Sequence, residues 1–184
     1  ISDANFGDAV DIDSAELDHE GFSVAAEEVI EQISRGVAAY VEKGGSTDDL
    51  AILFCGHSRG GAAANIAAAY ADEMASDPHA LAPLSSIYCY AFAVPRTTTA
   101  PGVADAPYDN IFNVLNPSDL VPRLPLATWG YARYGRDLWL PAYGIEAFEA
   151  GYDEMRRRFL ENVGVESPYD PTDVETVTDV ENDL

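Results

Sequence analysis

The chain has 184 residues, enough for one domain with a substantial buried core, and 47% of them are hydrophobic, which excludes a disordered polypeptide. Against 32 acidic residues stand only 10 basic ones, with Lys43 the single lysine, for a net charge of −22. A surface this anionic argues against nucleic acid and anionic membrane as partners.

The first 18 residues are polar and acidic without clear periodicity and read as a loop. From Phe22 to Val41 the apolar residues Phe22, Ala26, Val29, Ile30, Ile33, Val37, Tyr40 and Val41 recur every 3.6 residues, one face of an amphipathic helix. Gly44-Gly45 ends it. Leu50 to Cys55 is a short, continuous apolar run, which predicts a strand buried on both faces. A glycine-rich turn, Gly56 to Gly61, leads into the alanine-rich stretch Ala62 to Met74, predicted to be a helix packed closely on the sheet.

Ser86 to Val94 reads as a second buried strand stopped by Pro95, and Thr97 to Asp109 as loop. Cys55 and Cys89 fall within the two apolar strand runs and read as buried free thiols, a bridge between them being the alternative. Ile111 to Leu115 is a third strand, followed by the turn Asn116-Pro117-Ser118-Asp119. Val121 to Tyr134 suggests an ordered loop, and Leu138 to Leu140 a further strand. Ile145 to Val163 forms an amphipathic helix with Phe148, Tyr152, Met155, Phe159 and Leu160 on one side. Beyond Ser167 the acid-rich sequence reads as a solvated tail. Strand and helix alternate as in a mostly parallel α/β sheet flanked by helices, a single partial domain over residues 1–184. No run of about 18 apolar residues predicts a transmembrane segment.

The chemistry concentrates at Gly56-His57-Ser58-Arg59-Gly60. A serine hydroxyl attacks well only when a base takes its proton and donors stabilise the oxyanion that forms. The G-x-S-x-G turn between a buried strand and a helix, the nucleophile elbow of α/β-hydrolases, serves that need. It predicts Ser58 as nucleophile, with Gly56 and Gly60 leaving room for the strand and helix to cross. The backbone N–H of Arg59, at the helix start, would contribute to the oxyanion hole. His57, beside the nucleophile, should point away from Ser58 and reads as a packed core group or as one that supports the groups around the nucleophile. An acid is expected at the end of a later strand, and Asp119 follows Ile111–Leu115 in the order serine then aspartate. A turn-forming aspartate is the alternative there.

Three blocks, Gly56 to Ala62, Tyr90 to Arg96 and Val114 to Pro125, together with His19-Glu20-Gly21-Phe22 upstream and Gly130-Tyr131 to Trp139 downstream, resemble the class 3 lipases. The likeness covers roughly residues 19 to 140. It implies an α/β-hydrolase fold, a Ser58–Asp119–histidine triad and carboxylic-ester substrates of lipid type. It implies no cofactor and no metal, and Asp11, Asp13 and the acidic tail do not match a calcium-loop spacing. Ser-Arg-Gly-Gly and Thr97-Thr98-Thr99 depart from the commoner family pattern and resemble a bacterial lipase-like branch. Arg133 stands where the family has a non-catalytic histidine. Segment 141–163 could serve as a lid or cap over an acyl groove, or simply pack on the domain.

No histidine follows Asp119; the three present are His19, His57 and His79. His19 matches a structural position of the family, and His79 reads as a surface residue. The triad histidine is therefore unknown in this chain. The sequence opens on Ile1 as though cut from a longer protein, and the family's upstream oxyanion block is also missing. One expectation is a fragment whose base lies beyond Leu184; the alternative is a lipase-like binding protein that has lost its base. The sequence contains no signal for compartment, cytoplasmic or secreted, or for oligomeric state.

Overall fold

The computed structural model describes residues 9–12, 16–76, 80–100, 103, 108–141 and 146–166. His79, residues 142–145 of the expected cap and the acidic tail lie outside them. The chain divides into two compact units, Ile1–Leu115 with Val121–Leu138, and Asn116–Leu120 with Trp139–Leu184.

In the first unit, strands β1 (Ala9–Ile12) and β2 (Glu16–His19) pair antiparallel, which corrects the expectation of a featureless loop. Composition could not reveal this pairing, because part of what holds it comes from far along the chain. His19 N donates to Thr97 O at 2.8 Å, and Asp18 forms a bridge with Thr98, which bridges Ala132 in turn. Helix α1 (Glu20–Glu42) starts where the H-x-G-F block begins, with the His19 side chain accepting from Gly21 N at its N-cap. Phe22, Ser23 and Ala26 are buried, and Ile30, Ile33 and Val37 pack against the core.

Strands β3 (Ile52–His57), β4 (Ile87–Phe92), β5 (Ile111–Leu115) and β6 (Arg136–Trp139) form one sheet in that order. β3 pairs parallel to β4, and β4 parallel to β5. The crossover from β3 is helix α2 (Arg59–Met74), whose run of alanines lets its backbone approach the sheet, with Ala62, Ile66, Ala67 and Ala69 fully buried. Residues 121–134 form the ordered connection expected, with 3-10 turns at Val121–Arg123 and Ala127–Trp129.

The core fills one face of this sheet: Phe54, Ile87, Cys89, Ala91, Ile111 and Leu115 are buried. On the other face Leu53, Tyr88, Tyr90 and Phe92 are exposed among the described residues, so β3 is not buried on both faces as its continuous apolar run predicted. Side chains alternate across a strand. Cys55 therefore shares the exposed face, which corrects the expectation that it is buried, and Cys89 lies on the core side. Both thiols are free, and burial pushes that of Cys89 up to about 12.

The second unit contains helix α3 (Glu146–Val163). Glu154 binds Arg157 and Arg158, and Arg157 also binds Glu161, along its charged side. Met155, Leu160 and Val163 are exposed, while Tyr152 and Phe159 are half-buried.

Candidate active site

Ser58 joins β3 to α2 at φ 54° and ψ −124°, a conformation that a residue with a side chain adopts at a cost of about 1–3 kcal/mol. Two backbone bonds fix it: Ser58 N donates to Phe92 O at 2.9 Å, and Ser58 O accepts from Ala62 N at 3.0 Å. The neighbouring strand end is bent as well, with Ala93 at φ 48° and its N–H donating to Val114 O at 3.0 Å.

The glycines around the turn differ in what they allow. A Cβ on Gly56 would lie 2.1 Å from Gly60 O and 2.7 Å from Gly61 N, so only glycine fits under the helix start. At Gly61 a Cβ would meet Phe92 O at 3.1 Å and Gly56 O at 3.2 Å. At Gly60 it would meet nothing within 4 Å. The close crossing of strand and helix thus rests on Gly56 and Gly61, not on Gly56 and Gly60 as the motif suggested. Arg59 opens α2, placing its backbone N–H at the positive end of the helix dipole. His57 is exposed, contrary to the packed-core expectation, because it ends β3 on the uncovered face of the sheet.

Asp119 is half-buried and closes a turn in which its N–H donates to Asn116 O at 3.1 Å, while Asn116 Oδ1 accepts from Ser118 N at 3.0 Å. His19 is buried, stacked on Phe22 at 4.5 Å between centroids and engaged as the cap of α1; desolvation holds its pKa below the usual imidazole value. Arg133 is buried, with Nε donating to Val94 O at 2.8 Å and Nη1 paired with Asp137 at 2.8 Å; burial brings its pKa down to about 10.

Motif reading missed the residues that tie these blocks together. Asn65, in the middle of α2, donates to Asn113 Oδ1 at 3.0 Å and to Tyr134 O at 2.9 Å, and accepts from Thr97 Oγ1 at 2.8 Å. Fully buried Asp18 accepts from Tyr70 at 2.8 Å and Tyr134 at 2.9 Å. A lone asparagine in an alanine-rich helix was the available signal for the first; nothing local marks the second. Among the described residues no group of three or more His, Cys, Asp or Glu is placed to hold a metal ion, and no helix is long and apolar enough to cross a membrane. A cleft of about 680 Å³ between the C-terminal parts of α1 and α2, lined by residues such as Val37, Val41, Thr47 and Leu81, contains neither Ser58 nor Asp119.

A parallel sheet flanked by helices, with a strained serine between strand and helix, is an α/β-hydrolase type of architecture. The chain belongs to the class 3 lipase family, whose model, Lipase (class 3), matches residues 5–129. Among solved structures it is similar to the mono- and diacylglycerol lipase of Aspergillus oryzae, with 26% identity, a TM-score of 0.56 and coverage of 77% of this chain and 49% of that one. It is similar in fold to a triacylglycerol lipase whose catalytic centre is a serine protease triad, with 23% identity, a TM-score of 0.58 and coverage of 75% and 51%. For the Rhizomucor miehei lipase in its propeptide complex the values are 24%, 0.55, 76% and 44%. The chain spans about half the length of these lipases. No curated protein matches it.

Proposed function

We propose that the protein is a serine hydrolase of carboxylic esters, acting on lipid esters such as acylglycerols. The observation that carries this reading is Ser58 at positive φ between β3 and the N-terminus of α2. Ordinary βα turns have no reason to hold a serine in this strained state, whereas a nucleophile gains exposure and adjacent N–H donors from it.

In this reading Ser58 Oγ attacks the ester carbonyl carbon while a histidine takes its proton. The Arg59 N–H and the dipole of α2 stabilise the tetrahedral oxyanion. Collapse expels the alcohol, which receives the proton, and water then cleaves the acyl-serine by the same steps in turn. Asp119 orients the histidine and stabilises it when charged. All three histidines of this chain precede Asp119, and the His19 side chain caps α1, so this reading assigns the base to none of them. The lipid class of the substrate is supported by family membership and by the acylglycerol lipase among the similar structures.

The test is hydrolysis of p-nitrophenyl esters and of emulsified acylglycerols by the full-length protein. Ser58→Ala is expected to abolish turnover, and Asp119→Asn to lower kcat by up to about 10⁴-fold. A full-length protein that binds these lipids but hydrolyses none of them sinks the proposal in favour of a binding protein.

A further inference from the structure

The segment after Asp119, Val121-Pro122-Arg123-Leu124-Pro125, is poor in backbone donors because its two prolines have no N–H. Within it Leu124 N donates to Val121 O at 3.1 Å, and the carbonyls of residues 123, 124 and 125 face a single side chain and its backbone. Arg96, two residues beyond the end of the Ala93–Val94 bend, supplies all three donors. Its backbone N–H donates to Leu124 O at 2.7 Å, and its Nη1 donates to Pro125 O at 2.9 Å and to Arg123 O. Guanidinium hydrogen bonds are charge-assisted and fixed in geometry by the planar fork.

The consequence concerns Asp119. Residues 116–120 run from β5, whose Leu115 is buried, to the segment that Arg96 grips. We propose that Arg96 is a positioning residue for Asp119: by clamping the carbonyls of residues 123–125 it fixes the far end of the loop that carries the triad acid. This rests on the reading of Asp119 as that acid. In this proposal the effect of Arg96 travels through the backbone of residues 120–123.

The experiment is a double-mutant cycle in the full-length protein, combining Arg96→Met with Asp119→Ala and measuring kcat and KM for a soluble ester. Amide hydrogen exchange of residues 117–125 is followed alongside. Arg96→Met is expected to lower kcat roughly 10- to 100-fold with little change in KM, as a displacement of about 1 Å does. It should speed exchange in that loop while leaving β3 and α2 protected. In the Asp119→Ala background the same substitution should cost less than about threefold, because its route of action is already gone. Arg96→Lys keeps the charge but lacks the fork, and is expected to show the same pattern in milder form; it replaces Arg96→Met if that variant fails to fold. Equal losses in both backgrounds, or unchanged kcat and loop exchange, overturn the proposal. Wild-type kcat in Asp119→Ala refutes the acid assignment itself, and with it this inference, by a different signature.

Discussion

Replacing Gly56 by alanine tests whether the close crossing at the elbow sets both stability and reactivity. The new Cβ would lie 2.1 Å from Gly60 O, 2.4 Å from Gly60 C and 2.7 Å from Gly61 N. Ordinary contacts of this kind need more than 3 Å, so β3 and the first turn of α2 have to separate by about 1 Å. All three obstacles are backbone, and no side-chain rotation relieves them. The destabilisation should therefore fall at the upper end of the usual overpacking range, about 3 kcal/mol. The same shift moves the Arg59 N–H off the position where an oxyanion forms, which should slow attack by Ser58 about 100-fold. Gly60→Ala is the matched control: its Cβ meets nothing within 4 Å, and alanine favours a helix over glycine by about 0.5–1 kcal/mol. Urea unfolding and the rate of labelling by a fluorophosphonate, both on the full-length protein, give the two readouts. Wild-type stability and labelling in Gly56→Ala, or damage of equal size in Gly60→Ala, would refute the reasoning.

Three further outcomes follow from the same geometry. Ser58→Gly should be more stable than Ser58→Ala by about 1 kcal/mol in urea melts, because glycine relieves the positive-φ strain at φ 54° that alanine retains; equal stabilities deny the strain. Asn65→Leu should cost about 3 kcal/mol or more, since it leaves Asn113 Oδ1 and Thr97 Oγ1 without these bonds in the core, and a loss under 1 kcal/mol contradicts the network. Asp72 has its pKa raised to about 6 by burial, opposed by the Asn110 hydrogen bond at 2.8 Å, and its Oδ2 has no hydrogen-bond partner among the described residues. The folded chain thus holds this proton more tightly than the unfolded one, so burying the charge weakens the fold above pH 6 and stability returns as pH falls toward 4. Asp72→Asn should stabilise by about 1–2 kcal/mol at pH 8, after discounting for partial exposure, and by nearly nothing at pH 4; a benefit that is flat across pH speaks against it.

Where the pattern is local, the sequence was a good guide to this fold. The 3.6-residue period from Phe22 to Val41 lies inside α1, and Ile111–Leu115 coincides with β5. β3 lies two residues beyond its predicted bounds, since the strand continues through Gly56 and His57 to the turn itself. Which face of a strand is covered is not a local property, and so Leu53, Cys55 and His57 were all placed too deep. The hairpin of β1 and β2 was invisible for the same reason, its support being the backbone at Thr97 and Thr98. At the candidate site the G-x-S-x-G spacing pointed to Ser58, but clearance depends on which atoms face which, and this shifted the tight contact from Gly60 to Gly61. Arg96 and Asn65 act across gaps of tens of residues through hydrogen bonds, a range over which periodicity and propensity carry no signal.

The central claim is that Ser58 is a nucleophile, and covalent capture tests it most directly. Full-length protein treated with a fluorophosphonate should gain the mass of one adduct, mapped by peptide sequencing to Ser58, and Ser58→Ala should gain none. An adduct on another residue, or none on well-folded full-length protein, contradicts the account.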